Sequence, residues 1–123
     1  MATWTSHELD TIDTTDELRI ATARGDGTLR TARIVWVVRL GDGLYVRSVN
    51  GPDAAWYRGT QTRHEGRISS GGVHKDVSFV AADTGLDDAI DAAYRDKYHR
   101  YPAPVSHIVS EPARATTLKL VPR

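Results

Sequence analysis

Apolar and polar residues alternate over six short stretches of this chain, and an apolar stripe at helical spacing runs at length only once. Residues 17–24 (ELRIATAR) set Leu18, Ile20 and Thr22 against Arg19, Ala21 and Ala23, the period of a strand. Gly25-Asp26-Gly27 turns the chain into a longer strand over 29–40, and Gly41-Asp42-Gly43 returns it into a third over 44–49. Glycine accepts the positive φ that such tight loops need, so the three strands are expected to form an antiparallel meander. Residues 64–70 form a weaker strand. After Gly71-Gly72, residues 73–82 alternate Val73, Lys75, Val77 and Phe79 against His74, Asp76, Ser78 and Val80, and residues 113–121 close the set. The longest helix is expected over 86–100, where Leu86, Ile90, Ala93, Tyr94 and Lys97 repeat every three to four residues. Thr84 and Asp87 have the spacing of a capping box before it, and Pro102 and Pro104 end it, with one further turn over 105–110. A short N-terminal helix over 5–12 begins with Thr5 and Glu8 at the same spacing and turns Leu9 and Ile12 inward, and residues 53–60 make two more helical turns.

The strand over 29–40 is apolar on both faces. Ile34, Trp36, Val38 and Leu40 share one face, assigned to the core, while Arg33, Val35, Val37 and Arg39 share the other. A half-exposed antiparallel strand carries polar residues at the centre of its outer face. Val35 and Val37 are therefore expected to be covered by a second copy of the chain, a planar ligand or both.

Six short strands with glycine turns, one longer helix and two short ones predict a mainly β, α+β fold: a six-stranded antiparallel barrel, whose closure hides the sheet edges. At 123 residues the whole chain, 1–123, reads as one domain with an N-terminal helical segment over 1–15. Sixteen basic and sixteen acidic residues balance, so no net charge draws the chain to nucleic acid or an anionic membrane. The absence of cysteine removes disulfides, thiolate nucleophiles and Cys-ligated zinc. The five histidines lack ligand spacing, so no metal site is expected. The first residues have neither a basic nor an apolar leader region and no apolar run is long enough to span a bilayer, which predicts a cytoplasmic protein.

The stretch LYVRSVNGPDAAWYRG, residues 44–59, resembles the split-barrel flavin-binding superfamily that includes pyridoxamine-phosphate oxidase-like proteins and deazaflavin-dependent nitroreductases. Within that superfamily the chain is most similar to a family of small proteins with no assigned reaction. The resemblance spans about residues 17–121. It rests on a strand, a Ser, a Gly-Pro corner and a Trp-Tyr pair that opens a helix; Gly59-Thr60 stands where the deazaflavin branch has Asn-Leu, and the corner lacks a lysine. It implies that Arg47, Ser48, Asn50 and Gly51 bound a cofactor's phosphate end, that Trp56 and Tyr57 line its tail or brace the helix, and that Arg33 and Val35 border its ring.

Arginine forks suit phosphate or carboxylate, and neighbouring antiparallel strands can bring Arg33 and Arg47 together; pairing with acidic residues across a dimer interface, or simple solvent exposure, is the alternative. His74, Lys75 and Tyr98 are candidate substrate-pocket residues. The leading functional reading is a homodimer that binds FMN or deazaflavin at its interface and performs redox chemistry on a small organic molecule. A cofactor-free small-molecule-binding protein or acid–base enzyme, using the same pocket through Tyr98, His74 or Arg33, is the alternative. The sequence identifies no catalytic residue.

Overall fold

A computed structural model describes residues 3–123; the first two residues of the N-terminal segment lie outside the described residues. Six antiparallel strands close into a barrel in the order β1-β2-β3-β6-β5-β4. They are β1 (Glu17–Thr22), β2 (Arg33–Leu40), β3 (Gly43–Val46), β4 (Glu65–Ser70), β5 (Val73–Ala81) and β6 (Leu118–Pro122). The expected meander is present as β1-β2-β3, with Val37 opposite Val46 and Leu40 opposite Gly43. Gly41 (φ +62°) in the β2–β3 loop, and Gly71 (+58°) and Gly72 (+90°) in the β4–β5 loop, take the backbone region that side chains disfavour. The strand expected over 29–40 is shorter: Leu29 makes only an isolated bridge to Ala23, and the ladder begins at Arg33.

Five α-helices surround the barrel: α1 (Ser6–Asp13), α2 (Ala55–Thr62), α3 (Asp87–Lys97), α4 (Pro102–Ile108) and α5 (Glu111–Arg114). The Thr5–Glu8 capping box is formed in both directions, and Leu9 and Ile12 of α1 join the barrel core. The box expected at Thr84 and Asp87 is not made. Instead the Asp83 carboxylate accepts from the Gly85 N–H and caps a 3-10 turn that precedes α3. Two helices stand where the sequence suggested a single turn and the start of a strand. Pro102 and Pro104 fall in the first turn of α4, and Pro112 in that of α5, where backbone N–H groups have no intrahelical acceptor and proline costs little.

The two faces of β2 are the reverse of the sequence expectation. Val35 and Val37 point into the barrel with Leu18, Ile20, Leu44, Val46, Ile68 and Leu120. Trp36, Val38 and Leu40 lie outside it, under a second cluster built by Ile90, Tyr94 and Tyr98 of the α3 region and Val105 and Ile108 of α4. The cover over the outer face is therefore the chain's own helical layer, and Val35 and Val37 need no second copy to shield them. The physical reason is that both faces are buried, so alternation alone cannot tell inside from outside. The interior takes compact aliphatic side chains, and the larger Trp36 and Tyr45 fill the space between sheet and helices.

Lys97 ties these layers together. Its Nζ donates to Val37 O (2.9 Å) and Ile12 O (3.2 Å) and lies 5.2 Å from the centre of the Tyr98 ring. Burial lowers its pKa from 10.5 to about 8, against the opposing pull of Asp13 and Asp16. Below pH 8 the ammonium is charged in both folded and unfolded chains. Between about pH 8 and 10.5 the unfolded chain holds the proton that the folded one has released, so stability rises with pH. The urea midpoint should increase from pH 7.5 to 9.5, and Lys97→Met should flatten that rise; an equal rise in the variant would assign it elsewhere.

Candidate functional site

Beyond the end of β3 at Val46, Arg47 and Ser48 lead into a turn over Val49 and Asn50, closed by the Gly51 N–H donating to Ser48 O (3.0 Å), and Gly51 (φ +81°) opens a 3-10 turn that precedes α2. A side chain at Gly51 would press on Pro112 Cβ at 3.2 Å as well as strain the backbone. This corner, the first half of β2 and the start of α4 enclose a cleft of about 580 Å³. Ile34, Trp36, Val49, Trp56 and Pro104 make most of its wall apolar, and Arg33, Ser48 and Asn50 supply polar groups.

Three features of this cleft are polar groups without a protein partner. Ser48 is 1% exposed; its backbone N–H donates to Thr116 Oγ1 at 2.8 Å, but its own Oγ has no partner among the described residues. Arg33 is exposed, and its side chain makes no hydrogen bond or ion pair among the described residues. Finally, α2 starts at the cleft with Ala54, Ala55 and Trp56, and Ala54 offers no side-chain cap to the first-turn amides. Uncapped N–H groups and the positive end of the helix dipole favour negative charge there.

Arg47 lines the same cleft but is engaged inward. Its side chain is fully buried, and Nη1 pairs with Asp91 and donates to Ile108 O (3.2 Å). Nη2 reaches Asp87 O (3.2 Å) and Oδ1 (3.6 Å), and Nε donates to Thr117 Oγ1 at 2.9 Å. The guanidinium also lies 5.6 Å from the Tyr94 ring centre. The acidic partners of Arg47 belong to its own chain, not to a second copy as the sequence alternative had it, while Arg33 lies in solvent. Asp91 is the residue that sequence reasoning missed. Its signal was the Asp87–Asp91 pair at i, i+4 beside the apolar Ile90–Tyr94 stripe of α3.

A family model described as "Uncharacterized protein conserved in bacteria (DUF2255)" matches residues 8–120. The chain belongs to this family. No curated protein sequence matches it. Among solved structures, the DUF2255 chain is similar to HutZ, a heme storage protein from Vibrio cholerae (TM-score 0.69, 13% identity, 93% of this chain and 86% of that one). It is also similar to a candidate pyridoxamine 5′-phosphate oxidase from Listeria innocua (0.64, 13%, 94% and 90%). A third likeness is to an FAD-binding protein from Mesorhizobium loti (0.59, 14%, 99% and 92%). At such identities these likenesses show the fold alone, a closed six-stranded antiparallel barrel.

The structure brings Arg33, Val35, Arg47, Ser48, Asn50 and Trp56 of this DUF2255 chain to one cleft, together with Trp36, which the sequence analysis placed in the core. Gly51 shapes the corner without lining it. Tyr57 points to a separate cleft of about 300 Å³ on the other side of α2, with His64, Phe79 and Arg114. His74 and Lys75 lie on β5 at an open surface with Arg67 and Arg123, and Lys75 is paired with Glu8 at 2.9 Å.

Tyr98 is fully buried, stacked on Trp36 (ring centres 4.0 Å, 6° between planes). Its hydroxyl donates to Asp16 O at 2.6 Å and accepts from the Val37 N–H. Burial also pushes its pKa far above the ordinary tyrosine value, so it does not titrate near neutral pH. The fold thus places Tyr98 behind the cleft wall rather than in a pocket. Among the described residues no group of three or more His, Cys, Asp or Glu is placed to hold a metal ion, and no helix is long and apolar enough to cross a membrane.

Gly59 fixes how α2 sits. A Cβ there would lie 2.4 Å from Thr22 Oγ1 and 3.1 Å from Thr22 Cβ on β1, and Thr60 beside it is fully buried. Close approach of helix and strand accounts for Gly59-Thr60 in place of a bulkier pair. Gly59→Ala should displace α2 and destabilise the fold by about 1–3 kcal/mol, the range for overpacking. A thermal melt that matches the parent chain would contradict that packing.

Proposed function

We propose that this protein binds a flavin-type cofactor, FMN or a deazaflavin, in the β2–α2 cleft and serves as an oxidoreductase for a small organic molecule. The observation that carries the proposal is a cleft with an apolar wall of Ile34, Trp36, Val49 and Trp56 that also holds an unpaired arginine side chain and an uncapped helix start, with the Ser48 hydroxyl buried in its wall without a partner. A buried polar atom left unmade costs free energy unless a ligand satisfies it. The apolar part of the cleft suits a planar ring, and Arg33 and Ser48 suit its anionic tail. When bound, such a cofactor supplies hydride transfer, and the protein orients it and excludes water.

The relatives' names include heme as well as flavin. Iron in heme takes an axial His, Cys, Met or Tyr. None of these lines the cleft among the described residues, which favours a flavin here. The commitment of Arg47 to Asp91 supports a second reading, a cofactor-free binder of small anionic aromatic molecules in the same cleft.

Ile34 (49% exposed) and Val49 (46%) leave the mouth of the cleft apolar and wet, which supports a second copy as its cover. Sedimentation should then give a dimer, and Ile34→Asp should yield a monomer with weakened cofactor affinity. A parent chain that sediments as a monomer while saturated with cofactor would remove the dimer from the proposal.

The proposal itself is tested by titrating FMN into the purified protein. A saturable absorbance change with a rise in melting temperature is expected. No response to FMN or to a deazaflavin would overturn it in favour of the cofactor-free reading.

A further inference from the structure

Four aromatic rings follow one another from beneath the helical layer out to solvent, and one of them is part of the cleft wall. Ring centres lie 6.0 Å apart for Tyr94 and Tyr98, 4.0 Å for Tyr98 and Trp36, and 5.7 Å for Trp36 and Tyr101. Each step falls within the range of direct aromatic contact. Trp36 lines the cleft, and Tyr101 is 42% exposed. The backbone fixes that outer residue: the Tyr101 N–H donates to Tyr98 O (2.9 Å), and its carbonyl accepts from the Val105 N–H (3.0 Å).

The two ends of the series differ in what they can do with a proton. The Tyr98 hydroxyl donates to Asp16 O (2.6 Å), and the Tyr94 hydroxyl donates to Trp36 O (3.0 Å). A backbone carbonyl does not take up a proton near neutral pH, and burial raises the pKa of both phenols. A cation also faces each buried ring, Lys97 Nζ at 5.2 Å from the centre of Tyr98 and the Arg47 guanidinium at 5.6 Å from Tyr94. Such a cation is attracted to an electron-rich ring face and would be repelled by a ring that had lost an electron. Tyr101 has a guanidinium nearby as well, that of Arg100 at 5.7 Å, but its hydroxyl makes no hydrogen bond among the described residues and the residue meets water. A phenol that gives its proton to water as it gives up an electron leaves a neutral ring.

We infer that Trp36 and Tyr101 form a relay that carries a one-electron oxidising equivalent from the cleft to the protein surface. The oxidant is a small nitrogen- or oxygen-centred radical that reaches the cleft. It takes one electron from the Trp36 indole and is reduced to its anion. The Trp36 radical cation then takes one electron from Tyr101, whose phenol proton passes to water. Trp36 is restored, and a neutral tyrosyl radical stands at the surface, where a soluble thiol can return a hydrogen atom to it. The transfer runs outward because a phenol that releases its proton is oxidised more easily than an indole, and Tyr98 and Tyr94 cannot release theirs. The relay does not depend on which ligand fills the cleft, so it stands apart from the flavin reading.

The test is pulse radiolysis of the full chain with the azide radical, which oxidises tryptophan in preference to tyrosine at neutral pH. Of the three tryptophans, Trp4 and Trp56 are replaced by phenylalanine so that Trp36 alone remains. The tryptophan-radical absorbance should decay as a tyrosyl-radical absorbance rises, at a rate independent of protein concentration. Tyr101→Phe should remove the rise, and Tyr57→Phe should leave it unchanged. An undiminished rise in Tyr101→Phe, or a tryptophan radical that decays with no tyrosyl signal, would overturn the relay. If the Trp4→Phe/Trp56→Phe chain does not fold, the parent chain decides: Tyr101→Phe should lower its tyrosyl yield, and an equal yield would overturn the relay.

Discussion

Arg47→Ala should cost about 3–5 kcal/mol of folding stability, the typical cost of removing one partner from a buried ion pair. The substitution leaves the Asp91 carboxylate, whose side chain is 10% exposed, with only Arg114 (Nε to Oδ2, 3.5 Å) as a partner, and deprives Thr117 Oγ1, Ile108 O and Asp87 O of a donor. It also opens a void between Tyr94 and β6. For a domain of this size the loss should lower the melting temperature by on the order of 10–20 °C. A compensating change separates ion pairing from mere side-chain loss. Arg47→Met with Asp91→Leu removes both charges and fills the space with apolar side chains, and it should recover much of the lost stability, because buried pairs are often replaceable by apolar ones. Arg114 keeps Asp88 and Glu111 as partners in that double variant. A single variant as stable as the parent chain, or a double variant worse than the sum of its parts, would contradict the structural role assigned to Arg47.

The second large effect concerns affinity. Arg33→Ala should weaken FMN binding about 10–100-fold, the range for a lost charge-assisted hydrogen-bonded contact. It should leave the melting temperature of the free protein nearly unchanged, since Arg33 is exposed and its side chain has no partner among the described residues. Ser48→Ala should weaken FMN binding by several-fold to about tenfold, the scale of one hydrogen bond. Its effect on stability should be neutral or slightly favourable, because it deletes a buried hydroxyl that has no partner. Weaker binding without lost stability is the signature of a residue kept for a ligand. Loss of stability in Ser48→Ala would show that the hydroxyl serves the fold.

These predictions divide Arg33 from Arg47, which sequence reasoning treated as a pair. Each ends an apolar run on neighbouring strands, and nothing local distinguishes them. What separates them is α3, some forty residues later, which brings Asp87 and Asp91 against Arg47 and not against Arg33. Long-range pairing of this kind leaves no mark in strand periodicity. The face of β2 was hidden for a related reason. Its arginines sit at or near the strand ends, where side chains of either face reach solvent, so they did not mark the outside.

The features that were legible depend on local chemistry. Gly41 and the Gly71-Gly72 pair announce hairpins because their loops use positive φ. The Thr5–Glu8 box announces α1 because both side chains satisfy amides of the same helical turn. The corner at Gly51 was legible too, through a glycine and a proline that end β3 and set up α2. By contrast, α4 was read as a single turn over 105–110 and α5 as the start of the last strand, because proline reads as a helix terminator until the first turn is recognised as a place that tolerates it.

The most direct measurement is a crystal structure of the protein grown with FMN, read for the position of the phosphorus atom. The phosphate should lie between Arg33 and the start of α2, with an oxygen accepting a hydrogen bond from Ser48 Oγ. Electron density for FMN in the smaller cleft beside Tyr57 and His64, or on the surface around His74, would contradict this site.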